Sequence, residues 1–299
     1  MRLYSSVIKL LALHPASLEY SGGQHAHAAF LEIVRQVDPA LSQALHENRG
    51  KGARQPFTIS PLMGLPHPHR ASQTSEVLKT SEVSAVHLRE GWECWLRVTM
   101  LNETLFRYFI EYFLKAEGKT LPKIRLGDAH FAVSEILTTP GVHPWAGFTT
   151  LEDLQKRLDE PAPAQIAFEF VSPTSFKLQD ERVELLPLPR RVFGNLATAW
   201  KALRPGSGQA LTGEDMVRAV EEYAEQNLQL QWNRMEKRAL IIKHHPQLGM
   251  VGPAVYHFRR PEDTPLARAL NLLADLAFYT GIGRKTAQGM GMVRRIKDG

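Results

Sequence analysis

The sequence GIGRKTAQGMG at residues 281–291, near the C-terminus, is the stretch from which we interpret the fold and the function. Glycine permits positive φ angles and lets backbone N–H groups come close to a ligand. A run of such N–H groups beside basic side chains forms a concavity for anions, phosphates above all. From residue 281 to residue 297 the chain has five basic residues and no acidic one. The stretch therefore predicts a phosphate-binding loop. Its candidate residues are Gly281, Gly283, Arg284, Lys285, Thr286, Gly289 and Gly291.

The order of elements around this loop argues against a dinucleotide-binding site. That fingerprint follows a strand and opens a helix, with an acidic residue about 20 positions further on. Here a helix-like run over residues 266–279 precedes the loop, and a strand-like run from Met290 follows it. A mobile turn after a helix-capping glycine is the other interpretation, and the sequence leaves it open.

The composition favours a protein with real hydrophobic cores and an anionic partner. Of the 299 residues, 43% are hydrophobic, and the net charge of +5 gives an isoelectric point near 9.3. The single cysteine, Cys94, excludes a disulfide framework and cysteine-rich zinc sites, and predicts a reducing, cytoplasmic location. We find no apolar run of membrane-spanning length and no signal-peptide pattern, so no membrane partner is expected.

Hydrophobic periodicity divides residues 1–140 into a first set of alternating elements. Asp38 and Pro39 restart a helix, with Asp38 at the N-cap and Pro39 at the first helical position. The order is β–α–β–β–α–β, the split βαβ unit of the ferredoxin-like fold. Its predicted strands are residues 2–13, 56–60, 83–90, 92–100 and 125–137.

The pattern resumes over residues 141–299, with an extra helix inserted. Strands are predicted over residues 165–171, 228–243 and 247–258, and a nearly all-apolar helix, predicted to be buried, precedes the glycine stretch. The sequence therefore predicts an α+β chain of two tandem ferredoxin-like βαββαβ domains, divided at residue 140.

Four stretches together resemble a known family. GGQHAHAAFL (22–31), DPALSQALHE (38–47) and PFTISPLMG (56–64) resemble the first domain of the CRISPR-associated endoribonucleases that cut precursor CRISPR RNA within its repeats. TGIGRKTAQGMGMV (280–293) is similar to the C-terminal glycine-rich signature of that family. The resemblance covers both ends of the chain and implies tandem ferredoxin-like domains of the RAMP type.

The resemblance implies cleavage of CRISPR repeat RNA without a metal ion or other cofactor. The 2′-hydroxyl attacks the adjacent phosphate, leaving a 2′,3′-cyclic phosphate and a 5′-hydroxyl. This reaction needs a base, an acid, and donors or cations that stabilise the phosphorane. An association with a CRISPR effector complex and a homodimer are left open.

His46 is the first catalytic candidate, because it falls where the family has a helix-borne catalytic histidine. An imidazole titrates near neutrality and can act as acid or base. The family often adds a tyrosine in the first helix, and this chain has Leu31 there, so His27 is a candidate substitute. Lys51 and Arg54 are candidate cations on the scissile phosphate.

Arg190 and Arg191, at the head of a helix in the second domain, are further candidates for phosphate binding. The histidine pairs of the chain lack an evident third ligand, so no metal site is expected. Two other functions compete with cleavage. One is a non-cleaving RNA-binding subunit of a CRISPR effector complex, and the other is a metabolic enzyme with a phosphate-bearing ligand.

Overall fold

The computed structural model describes most of the chain. The described residues are 1–19, 23–48, 54–65, 85–115, 122–178, 182–203, 215–232, 234–260 and 262–296. We call the residues up to Thr150 the first half and those from Leu151 onward the second half. The elements of the first half are β1 (Arg2–Ala12), β2 (Ala16–Glu19), α1 (Gly23–Val37), α2 (Pro39–Asn48), β3 (Phe57–Ile59), β4 (Ala85–Leu88), β5 (Glu93–Met100), α3 (Glu103–Lys115), β6 (Lys123–Leu126), β7 (Ala129–Leu137) and β8 (Gly147–Thr150).

The main sheet of the first half has the strand order β3–β5–β1–β7–β6, and β8 pairs with the start of β1. All the pairings are antiparallel, with Val7 of β1 opposite Arg97 of β5 and Leu137 of β7. Helices α1 and α3 pack together beside it and bury Phe30 and Phe109. Burial of such a ring contributes about 1.5–3 kcal/mol. This confirms the predicted ferredoxin-like arrangement of the first half.

Two predicted strands of the first half are wrong in detail. Residues 125–137 form a hairpin, β6 and β7, because Gly127 (φ 60°) turns the chain where a single strand was predicted. The segment predicted at 83–90 contains β4, which pairs with β2 in a separate two-stranded sheet. These strands are four residues long, too short for alternation to reveal their partners.

The second half repeats the architecture with additional elements. The elements are α4 (Leu151–Gln155), a 3₁₀ helix (Lys156–Asp159), β9 (Gln165–Thr174), β10 (Phe176–Lys177), β11 (Val183–Glu184), α5 (Pro189–Leu203), α6 (Met216–Asn227), β12 (Leu228–Gln231), β13 (Glu236–Ile242), β14 (His245–Phe258), α7 (Pro265–Thr280), a 3₁₀ helix (Thr286–Gln288) and β15 (Val293–Ile296). The main sheet has the strand order β12–β14–β9–β15, β13 pairs with β14 as well, and every pairing is antiparallel. The run predicted as one strand over 228–243 is two strands, β12 and β13.

Each half has a main hydrophobic core, and the strand β8 belongs to the sheet of the first half. Because β8 pairs with β1, the first sheet extends to Thr150, ten residues beyond the predicted division at 140. Leu151 and Leu154 of α4 already pack in the core of the second half, together with Trp200 and Tyr256. Among the described helices, none has the length and apolar character that a membrane span requires.

Candidate functional site

The glycine-rich loop, which we define as residues 281–292, is closed by hydrogen bonds to the protein itself. Ile282 N donates to Gly291 O at 3.0 Å, and Gly291 N donates to Pro173 O at 3.1 Å. Arg284 N donates to Ser175 O at 3.0 Å, and Gly283 N donates to Asn195 Oδ1 of α5 at 3.0 Å. The backbone N–H groups of Ile282, Gly283, Arg284 and Gly291 therefore already have partners within the protein. This does not favour them as phosphate donors, and phosphate binding by the loop stays a prediction.

The glycines of the loop are required by close packing of the backbone. A Cβ on Gly291 (φ 73°) would lie 2.1 Å from Ile282 O, and one on Gly283 (φ 88°) would lie 2.5 Å from Ser175 O. Gly289 (φ 98°) lies against Gly23 of α1, whose own Cβ would be 2.3 Å from Gln288 O. Close packing of the backbone within the loop and against α1 is therefore sufficient to explain these glycines, and their role in RNA binding stays a prediction.

Gly291→Ala tests this assignment through stability. Gly91 is the matched control, because its φ of 77° is similar and a Cβ there would meet nothing within 4 Å. We expect Gly91→Ala to lower the free energy of unfolding by about 1–2 kcal/mol, the backbone cost of a side chain at positive φ. Gly291→Ala should cost about 1–3 kcal/mol more through overpacking. Equal losses in urea denaturation would contradict the packing assignment.

Arg284 and Lys285 form the polar edge of the loop. Both side chains donate to Gln247 Oε1 of β14, from Arg284 Nη2 at 2.5 Å and from Lys285 Nζ at 2.8 Å. Partial burial lowers the pKa of Arg284 from its usual value. Gln247 is neutral and does not cancel the charge of Arg284, which is only half-buried. Thr286, by contrast, is buried and opens the 3₁₀ helix of the loop.

The 3₁₀ helix of the loop docks on the first half beside α1 and β3. His27 Nδ1 lies 2.8 Å from Ala287 O, and the His27 ring lies 5.5 Å from that of Phe57. His27 is only 5% exposed. A buried imidazole that holds a backbone carbonyl is poorly placed to exchange protons with RNA. His27 therefore attaches the loop to α1. This position does not favour His27 as a substitute for the missing tyrosine.

Arg54 also belongs to this attachment. Its Nη2 donates to Thr280 O at 2.6 Å and to Gly281 O at 3.1 Å, where α7 ends and the loop begins. Burial lowers the pKa of Arg54 to about 10, so the side chain is a cation at neutral pH. Its charge is directed at backbone carbonyls, and the structure does not support its predicted contact with the scissile phosphate. Lys51, the alternative cation, lies outside the described residues.

His46 lies near the end of α2 and is exposed. The helix begins as predicted, with Asp38 Oδ1 accepting from Leu41 N at 2.9 Å. At its other end Gln55 Nε2 donates to Leu45 O at 3.0 Å. Gln55 and its neighbour Arg54 thus connect the turn that carries His46 to the start of the glycine-rich loop. Sequence reasoning missed Gln55, because nothing local marks a side chain that caps a helix ten residues earlier.

A hairpin of the second half also contacts α1 of the first half. Lys243 (φ 51°) and His244 (φ 61°) form the turn between β13 and β14, and Lys243 N donates to Gln24 Oε1 of α1 at 2.5 Å. His244 and His245 therefore belong to a hairpin tip. Within the described part of the chain, we find no group of three His, Cys, Asp or Glu side chains placed to hold a metal ion.

Arg190 and Arg191 start α5, as predicted. Arg190 pairs with two carboxylates of α6, Glu225 at 2.9 Å and Glu221 at 3.5 Å. These pairs join α5 to α6 and neutralise the charge, so they do not favour a phosphate contact for Arg190. Arg191 is half-buried, and its role in RNA binding stays a prediction.

Two ferredoxin-like halves, with a C-terminal glycine-rich loop of the second docked on the first, define the tandem RAMP-type class. A family model described as the CRISPR Cas6 N-terminal domain matches residues 2–156. A model described as CRISPR-associated endoribonuclease Cas6 matches residues 168–293. The chain belongs to the CRISPR-associated Cas6 endoribonuclease family, an RNA-cleaving family, which confirms the predicted resemblance.

Solved structures show the same similarity over the whole length. The chain is similar to a Cas6 product complex at 26% identity and a TM-score of 0.75, with 98% of this chain and 99% of that chain covered. It is similar to a Cas6 of Thermus thermophilus at 25% identity and a TM-score of 0.70, covering 98% of both chains. A RAMP protein binding different RNA substrates shares the fold, at 16% identity and a TM-score of 0.56, covering 98% of this chain and 100% of that one. No curated protein sequence matches the chain.

Proposed function

We propose that this chain cuts CRISPR repeat RNA to release guide RNAs, without a metal ion, and that His46 transfers a proton in the reaction. The 2′-hydroxyl loses its proton and attacks the adjacent phosphorus. The bond from phosphorus to the 5′ oxygen then breaks, and that oxygen takes up a proton. The products are a 2′,3′-cyclic phosphate and a 5′-hydroxyl. A positioned imidazole can supply either proton transfer.

The observation that carries this proposal is an exposed imidazole on α2, a helix that Gln55 and Arg54 link to the start of the docked glycine-rich loop. His46 follows Leu45, whose carbonyl is held by Gln55, and the next side chain, Arg54, holds the start of the loop. The loop presents Arg284 and Lys285 at its polar edge. In this proposal an RNA strand binds along these cations and reaches His46 on α2.

The proposed chemistry does not depend on a divalent ion. The nucleophile is part of the substrate, so the protein needs no metal-bound water to generate one. Orientation of the 2′-hydroxyl and proton transfer by His46 can supply the rate enhancement. Lys51 lies in the segment between α2 and Arg54 and stays a proposed cation for the phosphorane.

Cleavage in EDTA tests the metal-independent part of the proposal. We expect the full chain, incubated with CRISPR repeat RNA, to cut at the same rate with EDTA as with Mg²⁺. RNA that is folded before EDTA is added provides the control for metal-dependent RNA structure. Loss of cleavage in EDTA that Mg²⁺ restores for this pre-folded RNA would contradict the mechanism.

The salt dependence of binding tests the role of Arg284. Each phosphate contact contributes about 0.7–0.9 to the slope of log affinity against log salt concentration. Arg284→Ala should therefore reduce that slope by about this amount in filter binding with repeat RNA. Arg218 is the control, because it is exposed on α6 and pairs with Glu222 at 2.8 Å. If Arg284→Ala and Arg218→Ala both leave the slope unchanged, the loop does not contact RNA through Arg284.

A second function, RNA binding without cleavage, is favoured by one observation. His27 and Arg54, two of the predicted catalytic side chains, are engaged in attaching the loop, and Leu31 stands where the family often has tyrosine. A binding subunit would keep the docked loop and need no proton transfer. Analysis of the products on repeat RNA separates the two functions, because only the enzyme releases two fragments. Association with an effector complex and homodimer formation stay predictions.

A further inference from the structure

The C-terminal end of α7 lacks internal partners for its last carbonyl groups. An α-helix leaves its final four carbonyls without intrahelical donors, and its C-terminus carries a partial negative charge. Gly281 N donates to Ala277 O at 2.9 Å, which leaves the following carbonyls to other donors. The last turn of α7, which is described in full, contains no basic residue that could serve.

The first half supplies the donors for four successive carbonyls. Arg97 Nη2 donates to Phe278 O, Thr99 Oγ1 donates to Tyr279 O at 2.7 Å, and Arg54 Nη2 donates to both Thr280 O and Gly281 O. Arg97 and Thr99 are alternate residues of β5, so their side chains leave the same face of the sheet. We call Arg54, Arg97 and Thr99 the interdomain cap.

Arg97 is held rigidly for this contact. Its Nε donates to Ser5 Oγ of β1 at 2.8 Å, and its guanidinium lies 4.2 Å and 5.1 Å from the ring centroids of Phe278 and Trp145. The residue is 2% exposed, and burial lowers its pKa to about 9, so it remains charged at neutral pH. The negative end of α7 and the faces of the two aromatic rings both attract the guanidinium cation, and this attraction opposes the cost of its burial.

We propose that Arg54, Arg97 and Thr99 are positioning residues that fix the end of α7. They thereby hold the glycine-rich loop in a fixed position relative to α2. The loop begins at the carbonyls they bind, and Arg54 adjoins Gln55, which caps the turn before His46. The position of Arg284 and Lys285 relative to His46 thus depends on contacts between the halves. This inference rests on the proposed cleavage function, but it also makes a claim about the loop that is testable without RNA.

Arg54 offers a test by loss and rescue. Both of its bonds to α7 come from one nitrogen, Nη2, so the ammonium of Arg54→Lys can replace it, whereas Arg54→Met cannot. We expect amides of residues 282–291 to exchange hydrogen about tenfold faster in Arg54→Met, because the buried Thr280 carbonyl loses its donor and the Gly281 carbonyl keeps only Thr280 Oγ1. Amides of β1 and β9 should exchange as in the wild type. Arg54→Lys should restore most of the protection of the loop.

The same variants should differ in catalysis. At saturating protein, single-turnover cleavage by Arg54→Met should fall about tenfold, and Arg54→Lys should recover most of it. Arg157→Met is the matched control, because Arg157 contacts the Asp275 carboxylate of the same helix at 2.7 Å from within the second half. We expect Arg157→Met to leave both the exchange of the loop and the cleavage rate near the wild-type values.

Hydrogen exchange of the full chain decides the proposal even if Arg54→Met folds poorly. Thr99→Val removes the hydroxyl that binds Tyr279 O and that also bonds Thr58 N and Thr58 Oγ1 of β3, so exchange should accelerate in the loop and at Thr58 but not in β9. Loop amides that exchange at the wild-type rate in Thr99→Val, or acceleration spread evenly over β1 and β9, would overturn the proposal. If the wild-type chain leaves repeat RNA uncut, the proposed cleavage function is wrong. Hydrogen exchange of the loop amides still tests whether the interdomain cap positions the loop.

Discussion

A repeat RNA with a single 2′-deoxynucleotide immediately 5′ of the cut should bind normally and remain uncut at that bond. The proposed nucleophile is the missing oxygen, so its removal leaves no group to attack the phosphorus. Binding is expected to stay within about twofold, because phosphate contacts carry most of the affinity and the substitution retains every phosphate. Gel analysis of end-labelled RNA, at protein concentrations that saturate binding, measures both results.

A deoxynucleotide one position further along the RNA provides the control for this substrate. It alters the sugar at a position that takes no part in bond breaking, so cleavage should continue. If the chain hydrolyses the bond that lacks its 2′-hydroxyl, water is the nucleophile, and the cyclic-phosphate mechanism is wrong.

His46→Ala should slow single-turnover cleavage by about 10²–10⁴-fold, the usual contribution of a positioned proton-transfer group. His46 is exposed on α2, so its truncation should leave the core intact. The dissociation constant for repeat RNA should change little, because one neutral imidazole adds almost nothing to phosphate attraction. The rate and the dissociation constant must be measured on the same preparation, so that chemistry and binding are separated.

His14→Ala is the control for this variant, since His14 is also exposed but lies in the turn between β1 and β2. We expect it to cleave at the wild-type rate. Wild-type cleavage by His46→Ala would remove His46 from the mechanism. The segment that contains Lys51 would then be the next place to search for the acid or base.

Hydrophobic periodicity predicts the helices correctly where the pattern extends over many residues. Helices α1, α2, α3 and α7 have apolar faces over ten or more residues, and the capping pair Asp38–Pro39 marks the start of α2 at the observed position. The short strands were harder. β2 and β4 pair although a long segment separates them in the sequence. This pairing depends on tertiary contacts, so no local pattern predicts it.

The candidate site shows the limit of reasoning from residue type. Glycines and cations at the C-terminus indicated a phosphate concavity, but Pro173, Ser175 and Asn195 accept the N–H groups of the loop, over 80 residues earlier in the chain. Arg54 is predicted to contact the scissile phosphate from its charge and its position in the loop after His46, whereas its partners are the Thr280 and Gly281 carbonyls. Such distant partners become evident only after the chain has folded.

The end groups of the cleaved RNA test the central claim most directly. We expect mass spectrometry of the fragments, produced by the wild-type chain in EDTA, to show a 2′,3′-cyclic phosphate on the upstream fragment and a 5′-hydroxyl on the downstream fragment. His46→Ala should give the same ends at a much lower yield, because the 2′-hydroxyl remains the nucleophile. A 3′-hydroxyl on the upstream fragment with a 5′-phosphate on the downstream fragment would contradict the account.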